Sequence, residues 1–82
     1  MIFKTKIFAL PDGAYDVLYQ NRRYALIKST HLNKKLLKLY AKELGGNEFI
    51  SLNYYPQLEN GLKPCEMPKE KVIAFVLGLI KV

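Results

Sequence analysis

Hydrophobic and polar residues alternate near the start of the chain. Over residues 3–9 the apolar or small side chains occupy every second position, and lysines occupy two of the positions between them. This period of two predicts a first β-strand, because successive side chains of a strand point to opposite faces. The strand is expected to end at Leu10, since the Pro-Asp-Gly sequence of residues 11–13 is typical of a turn.

Residues 15–28 are predicted to form a β-hairpin with two arginines at its tip. Valine, tyrosine, leucine and isoleucine recur on both sides of Asn21-Arg22. Asparagine tolerates the positive φ that a two-residue type I′ turn requires. A turn at Asn21-Arg22 leaves Arg22 and Arg23 projecting into solvent. It predicts three facing pairs along the ribbon: Tyr19 with Tyr24, Val17 with Leu26, and Tyr15 with Lys28.

The next apolar pattern has the spacing of a helix. Leucines and a tyrosine recur every three or four positions over residues 32–44, after two residues that can cap a helix, Ser29 and Thr30. Gly45-Gly46 is expected to end this helix, because glycine readily adopts the left-handed conformation found just past helix ends.

The second half of the chain predicts one more strand and a closing helix. Residues 49–55 have strand composition, and residues 56–68 are expected to be a loop or a short edge hairpin. Pro68 suits the first turn of a helix that continues through the apolar residues 72–80. A final buried strand over 72–80 is the alternative, because valine, isoleucine and Gly78 disfavour a helix.

These elements predict an α+β fold. Their order, β-β-β-α-β-α, fits a two-layer sandwich with an antiparallel-rich sheet of about four strands and two helices on one face. The 82 residues suffice for a single domain, residues 1–82. Half of them are hydrophobic and 24% are charged, which favours a globular chain over a disordered one.

The positive charge is concentrated in the first half of the chain. The formal net charge is +6, and residues 1–42 carry nine lysines and arginines against two aspartates. Residues 43–82 carry four lysines against five glutamates, so this half is close to neutral. A basic lobe of this kind attracts polyanions, of which nucleic acid is the commonest.

Catalysis, metal binding and secretion have little support. Cys65 is the sole cysteine and His31 the sole histidine, so the chain offers one thiol nucleophile, one imidazole base to activate it and no conventional zinc site. No cofactor motif is present, and we expect a binding protein rather than an enzyme. With no disulfide, signal peptide or apolar run of about 20 residues, the predicted location is the cytoplasm, without membrane insertion.

The leading functional hypothesis is association with nucleic acid or another polyanion. The hairpin tip carries two arginines, and lysines spaced by four are predicted to line one face of the first helix. The ribbon tyrosines could stack on bases, but a role in the core is the stronger interpretation. The predicted contact residues are Arg22, Arg23, Lys28, Lys34, Lys35, Lys38 and Lys42.

The alternative hypothesis is a protein-interaction or self-associating subunit. The closing segment is apolar on all sides if it is helical, and such a helix must be covered on more than one side. It could pack entirely within its own domain or meet a second copy in a homodimer. The residues predicted for self-association are Val72, Phe75, Val76 and Leu79.

Overall fold

The computed structural model describes residues 2–82, and its first element is a helix, α1, Ile2–Ala9. The predicted first strand is therefore wrong. Phe3, Ile7 and Leu10 are buried, and their spacing of four and then three residues matches the turn of a helix. Thr5 and Ala9, which the alternating pattern placed on the buried side, are exposed.

The chain then forms an antiparallel sheet. Its order is β5-β4-β3-β2-β1-β6, so a four-strand meander is extended by a short strand at each edge. This confirms the α+β class, but the predicted count of about four strands is two too low. The strands of the described residues are β1 Gly13–Tyr19, β2 Arg22–His31, β3 Leu36–Glu43, β4 Phe49–Tyr54, β5 Leu62–Pro64 and β6 Ile80–Lys81.

Strand β3 occupies the segment that was predicted to be the first helix. Leu32, Asn33 and Lys34 have positive φ angles of 54°, 55° and 70°, so they form a tight turn that a helix could not contain. From Leu37 onward the residues are alternately buried and exposed. The helix prediction failed because Leu37 and Leu39 also fit the period of a strand, and pairing with β2 and β4 decides between the two structures.

The β1–β2 hairpin is present, but its turn lies one residue earlier than predicted. Gln20 and Asn21 have φ angles of 52° and 62°, as a type I′ turn requires. Tyr19 therefore pairs with Arg22, and Val17 pairs with Tyr24. Because the pairing changes by two residues, every side chain keeps its predicted face. The Tyr19 and Tyr24 rings still contact each other, with centroids 6.3 Å apart.

The closing helix, α2, Lys69–Gly78, follows Pro68 as predicted. It crosses from the β5 edge to the β6 edge and packs with α1 on one face of the sheet, which we call the inner face. Val72, Phe75 and Val76 are fully covered there, and Leu79 packs against the same core. Three of the four residues predicted for self-association are therefore covered within the domain and Leu79 is partly buried, which favours packing within one copy over contact with a second.

Neither helix within residues 2–82 has the length and apolar character that a membrane crossing would require.

Candidate functional site

The side of the sheet opposite the helices carries a distinctive set of exposed residues. Ile27 and Tyr40 lie directly opposite each other on the two central strands, yet they remain 55% and 44% exposed. Because side chains alternate along each strand, the residues that share this side can be read from the register. We call this side the open face, and its central members are Arg23, Ala25, Ile27, Ser29, Lys38, Tyr40, Lys42, Phe49, Ser51, Asn53 and Lys63.

Two aromatic rings lie side by side on the open face. Tyr40 of β3 and Phe49 of β4 have ring centroids 6.3 Å apart and planes inclined by 31°. Phe49 is 38% exposed. Ile27 adjoins Tyr40 on its other side, across the β2–β3 pair. The three side chains therefore form an apolar strip across the middle of the sheet, in contact with solvent.

Lysines border this strip. Lys38 and Lys42 lie two residues before and after Tyr40 on the same face of β3, about 13 Å apart along the strand. Lys42 is directly opposite Phe49, and both lysines are exposed. Neither lysine has a carboxylate within 4 Å among the described residues.

The remaining charges on this side are also mainly positive. Lys63 faces Asn53 at the β4–β5 edge, and Arg23 lies near the β1–β2 tip. Asp16 shares the face, and its Oδ2 accepts a hydrogen bond of 2.9 Å from Arg23 Nη1. In the strands described here, the open face thus has four cations and one carboxylate, which is already paired.

The two tip arginines do not act as a pair. Adjacent strand residues point to opposite faces, so Arg22 projects toward the helix side while Arg23 lies on the open face. Arg22 Nη1 donates a 3.0 Å hydrogen bond to Oε2 of Glu43, a carboxylate that is almost fully buried. Only Arg23 therefore joins Lys38 and Lys42 on the same side of the sheet.

The side chain of Lys28 is buried and forms hydrogen bonds within the domain. It is 4% exposed, and its Nζ donates to the Leu10 carbonyl oxygen at 2.8 Å and to Asp12 Oδ1 at 3.1 Å. The Thr30 hydroxyl donates to the same Asp12 oxygen. The hydrogen bonds from Thr30 and Lys28 lower the pKa of Asp12 below its usual value of 3.8. Lys28 thus anchors the α1–β1 connection and does not lie on the open face.

The lysines predicted to line one face of a helix belong to two different elements of the fold. Lys34 and Lys35 are exposed in the turn between β2 and β3, whereas Lys38 and Lys42 lie on β3. A spacing of four also returns to the same face of a strand, so Lys38 and Lys42 remain neighbours on one surface. Lys34 and Lys35 lie beyond its end.

A cleft of about 400 Å³ opens on the helix side of the β1–β2 tip, and sequence reasoning did not anticipate it. Its two cations are matched by carboxylates: Arg22 bonds Glu43, and Lys71 Nζ lies 2.6 Å from Glu48 Oε1. The bond from Lys71 lowers the pKa of Glu48. Burial raises the pKa of Tyr24, which lines the same cleft. The cleft therefore has little excess charge for an ionic ligand.

The residues considered for catalysis, His31 and Cys65, lie far apart. His31 Nε2 is 2.8 Å from the Ser29 hydroxyl, while Cys65 follows β5, three strands away, about 14 Å by the usual strand spacing. These two residues therefore do not form a dyad. Among residues 2–82 no group of three His, Cys, Asp or Glu side chains is arranged to hold a metal ion.

Sequence reasoning missed the rings of the open face. It considered Tyr15, Tyr19 and Tyr24 for base stacking, but these lie on the inner face with the core. The sequence pattern predicted Tyr40 within a helix and Phe49 as the first residue of a strand. The usable signal was the alternation in Leu37-Lys-Leu-Tyr-Ala-Lys42, which places lysine, tyrosine and lysine on one side once the segment is read as a strand.

Comparison of the chain with protein-family models, with curated proteins and with solved structures found no match, so its function must be inferred from its own residues.

Proposed function

We propose that this domain binds nucleic acid through the open face of its sheet, acting by binding and not by catalysis. The observation that carries the proposal is the combination on one uncovered surface of two exposed rings, Tyr40 and Phe49, with lysines that lack acidic partners. Nucleic acids present phosphates and aromatic bases together, and this surface has a complementary group for each.

The charge distribution supports a polyanion as the partner. Lys38 and Lys42 stand on a rigid central strand, so their ammonium groups are held on the same side with little loss of backbone freedom on binding. Like charges on one surface repel each other, and a bound phosphate chain relieves this repulsion while releasing its own counterions. The open face is thus electrostatically suited to a ligand with repeated negative charges.

Self-association through the open face is disfavoured by the same charges. Two copies packed face to face would bring the lysines of both open faces together, and like charges across an interface are unfavourable. The sheet edges are also short: β5 has three residues and β6 has two. Short edge strands give a second copy little backbone to pair with.

The salt dependence of binding tests the proposal. For a labelled oligonucleotide titrated by fluorescence anisotropy, the logarithm of affinity should fall linearly with the logarithm of salt concentration. The variant K38Q/K42Q should reduce that slope by about 1.4 for a single strand, because each phosphate contact contributes about 0.7. Its stability should stay within about 0.5 kcal/mol of the parent, since both side chains are exposed.

The matched control is K4Q/K6Q. Lys4 and Lys6 are exposed on α1, which packs on the inner face, so this variant loses the same net charge from the other side of the domain. It should keep the parent slope. The proposal is wrong if the parent protein binds neither DNA nor RNA at roughly 50 mM salt, where phosphate contacts are strong. Equal losses in the two variants would show that only the total charge matters.

A further inference from the structure

We infer that the ligand class of the open face is single-stranded nucleic acid, with bases stacked on Tyr40 and Phe49. The inference rests on the proposed function and adds to it the form of the nucleic acid. Its basis is that Tyr40 lies between Lys38 and Lys42 on β3, while Phe49 lies beside Tyr40 on β4, directly opposite Lys42.

The rings form a surface that bases can use. Tyr40 and Phe49 lie on adjacent strands with ring centroids 6.3 Å apart, and Ile27 extends the apolar surface on the far side of Tyr40. Side chains on a sheet stand roughly perpendicular to it, so all three rise from the face toward solvent. An unpaired base laid across them would replace water on both partners with an apolar contact.

The lysines are placed to hold the phosphates that flank such a base. Lys38 and Lys42 stand on opposite sides of Tyr40 along β3, and Lys42 also faces Phe49 on β4. A nucleic-acid strand that runs along β3 with a base stacked on Tyr40 meets an ammonium group in each direction. Stacking and phosphate contact therefore act on the same stretch of ligand.

A duplex cannot use this arrangement in the same way. Its bases are paired and stacked on one another, so their faces are closed to the protein, and a broad sheet is not the narrow ribbon or helix that enters a major groove. The lysines would still attract its phosphates. A duplex should therefore bind through charge alone, and the rings should provide the preference for a single strand.

The test compares a labelled single-stranded oligonucleotide with its duplex for the parent protein and for Y40L/F49L. Leucine removes the ring while keeping an apolar side chain of adequate size, so general hydrophobic contact is retained. Single-strand affinity should fall at least about fivefold for each ring lost, and duplex affinity should stay unchanged. The variant Y40F/F49Y keeps two rings and should bind the single strand like the parent.

The matched control is F8L. Phe8 lies on α1 and is 38% exposed, the same fraction as Phe49, but it is on the helix side of the domain. Its replacement should leave single-strand affinity unchanged. An abasic oligonucleotide with the same number of phosphates gives an independent readout on the unmodified protein, and it should bind as weakly as the duplex.

The outcomes separate this inference from the proposed function. If the parent binds duplex and abasic strands as tightly as the single strand, and K38Q/K42Q weakens all three, the stacking inference is wrong while nucleic-acid binding stands. If no oligonucleotide binds at low salt, both are wrong. A concentration-dependent dimer that Y40L/F49L abolishes, without oligonucleotide binding, would show that the open face is an interface between copies.

Discussion

Phe75→Ala should lower the free energy of unfolding by about 3–5 kcal/mol, the usual cost of removing a fully buried phenylalanine. Phe75 is 0% exposed and is the largest completely buried side chain of α2. Its ring lies 5.0 Å, centroid to centroid, from both Tyr19 and Tyr24, so it joins the helix to the β1–β2 hairpin. Deleting the ring loses its transfer energy and leaves a cavity that these neighbours can only partly fill.

Chemical denaturation of the parent and of a matched variant measures this effect. Leu77→Ala changes the same helix two residues later, at a side chain that is 38% exposed, and should shift the unfolding free energy by only about 0.5 kcal/mol. A loss below about 1 kcal/mol for Phe75→Ala would contradict the packing of α2 on the inner face. There would then be no basis for identifying the open face as the uncovered side of the sheet.

Tyr24→Ala should destabilise the domain by roughly 3 kcal/mol, for the same physical reason. Tyr24 is 5% exposed and contacts Tyr19 and Phe75. The matched change is Tyr40→Ala on the neighbouring strand, which removes the same ring from the opposite side of the sheet. Tyr40 is exposed, so its loss should cost at most about 1 kcal/mol, from strand propensity and the contact with Phe49.

Thermal or urea unfolding of the two tyrosine variants therefore measures how much stability a ring on each face of the sheet contributes. Similar losses of stability for Tyr24→Ala and Tyr40→Ala would mean that both sides of the sheet are covered. That result would contradict an open face that is free to bind a ligand. We expect a large loss of stability for Tyr24→Ala and a small one for Tyr40→Ala, because helices cover only the inner face of the sheet.

Local signals in the sequence were sufficient for the β1–β2 hairpin, for β4 and for α2. Each has a marker that depends on its own residues: the asparagine of a type I′ turn, the alternation after Phe49, and Pro68 before an apolar run. The hairpin turn was misplaced by one residue because Gln20 shares the positive φ of Asn21, which its residue type does not suggest.

Elements α1 and β3 could not be predicted locally. In the first segment, the apolar side chains at positions 3, 7 and 10 fit a helix. The apolar or small side chains at positions 3, 5, 7 and 9 fit a strand. In β3 the leucines as a set have helical spacing, while Leu37 and Leu39 also fit a strand. The choice depends on partners distant in the chain: β3 is paired on both sides, by β2 and by β4. Tertiary contacts therefore override the local preference.

The candidate site was only partly predictable for the same reason. Lys28 and Lys38 are equivalent as residues, yet Lys28 reaches the Leu10 carbonyl oxygen at the end of α1 and is buried, while Lys38 faces solvent. The side of the sheet that α1 and α2 cover decides which lysines and rings remain exposed. No local pattern carries that information, although the predicted contact residues in the basic first half did include Lys38 and Lys42, which are exposed on the open face.

The most direct measurement is backbone NMR of the labelled protein titrated with a single-stranded oligonucleotide. Binding on the open face predicts that the largest chemical-shift changes appear at Ile27, Lys38, Tyr40, Lys42 and Phe49. Residues of α1 and α2 should change little. Changes concentrated on the helices or in the cleft beside Arg22 and Lys71, with the open face unaffected, would contradict the account.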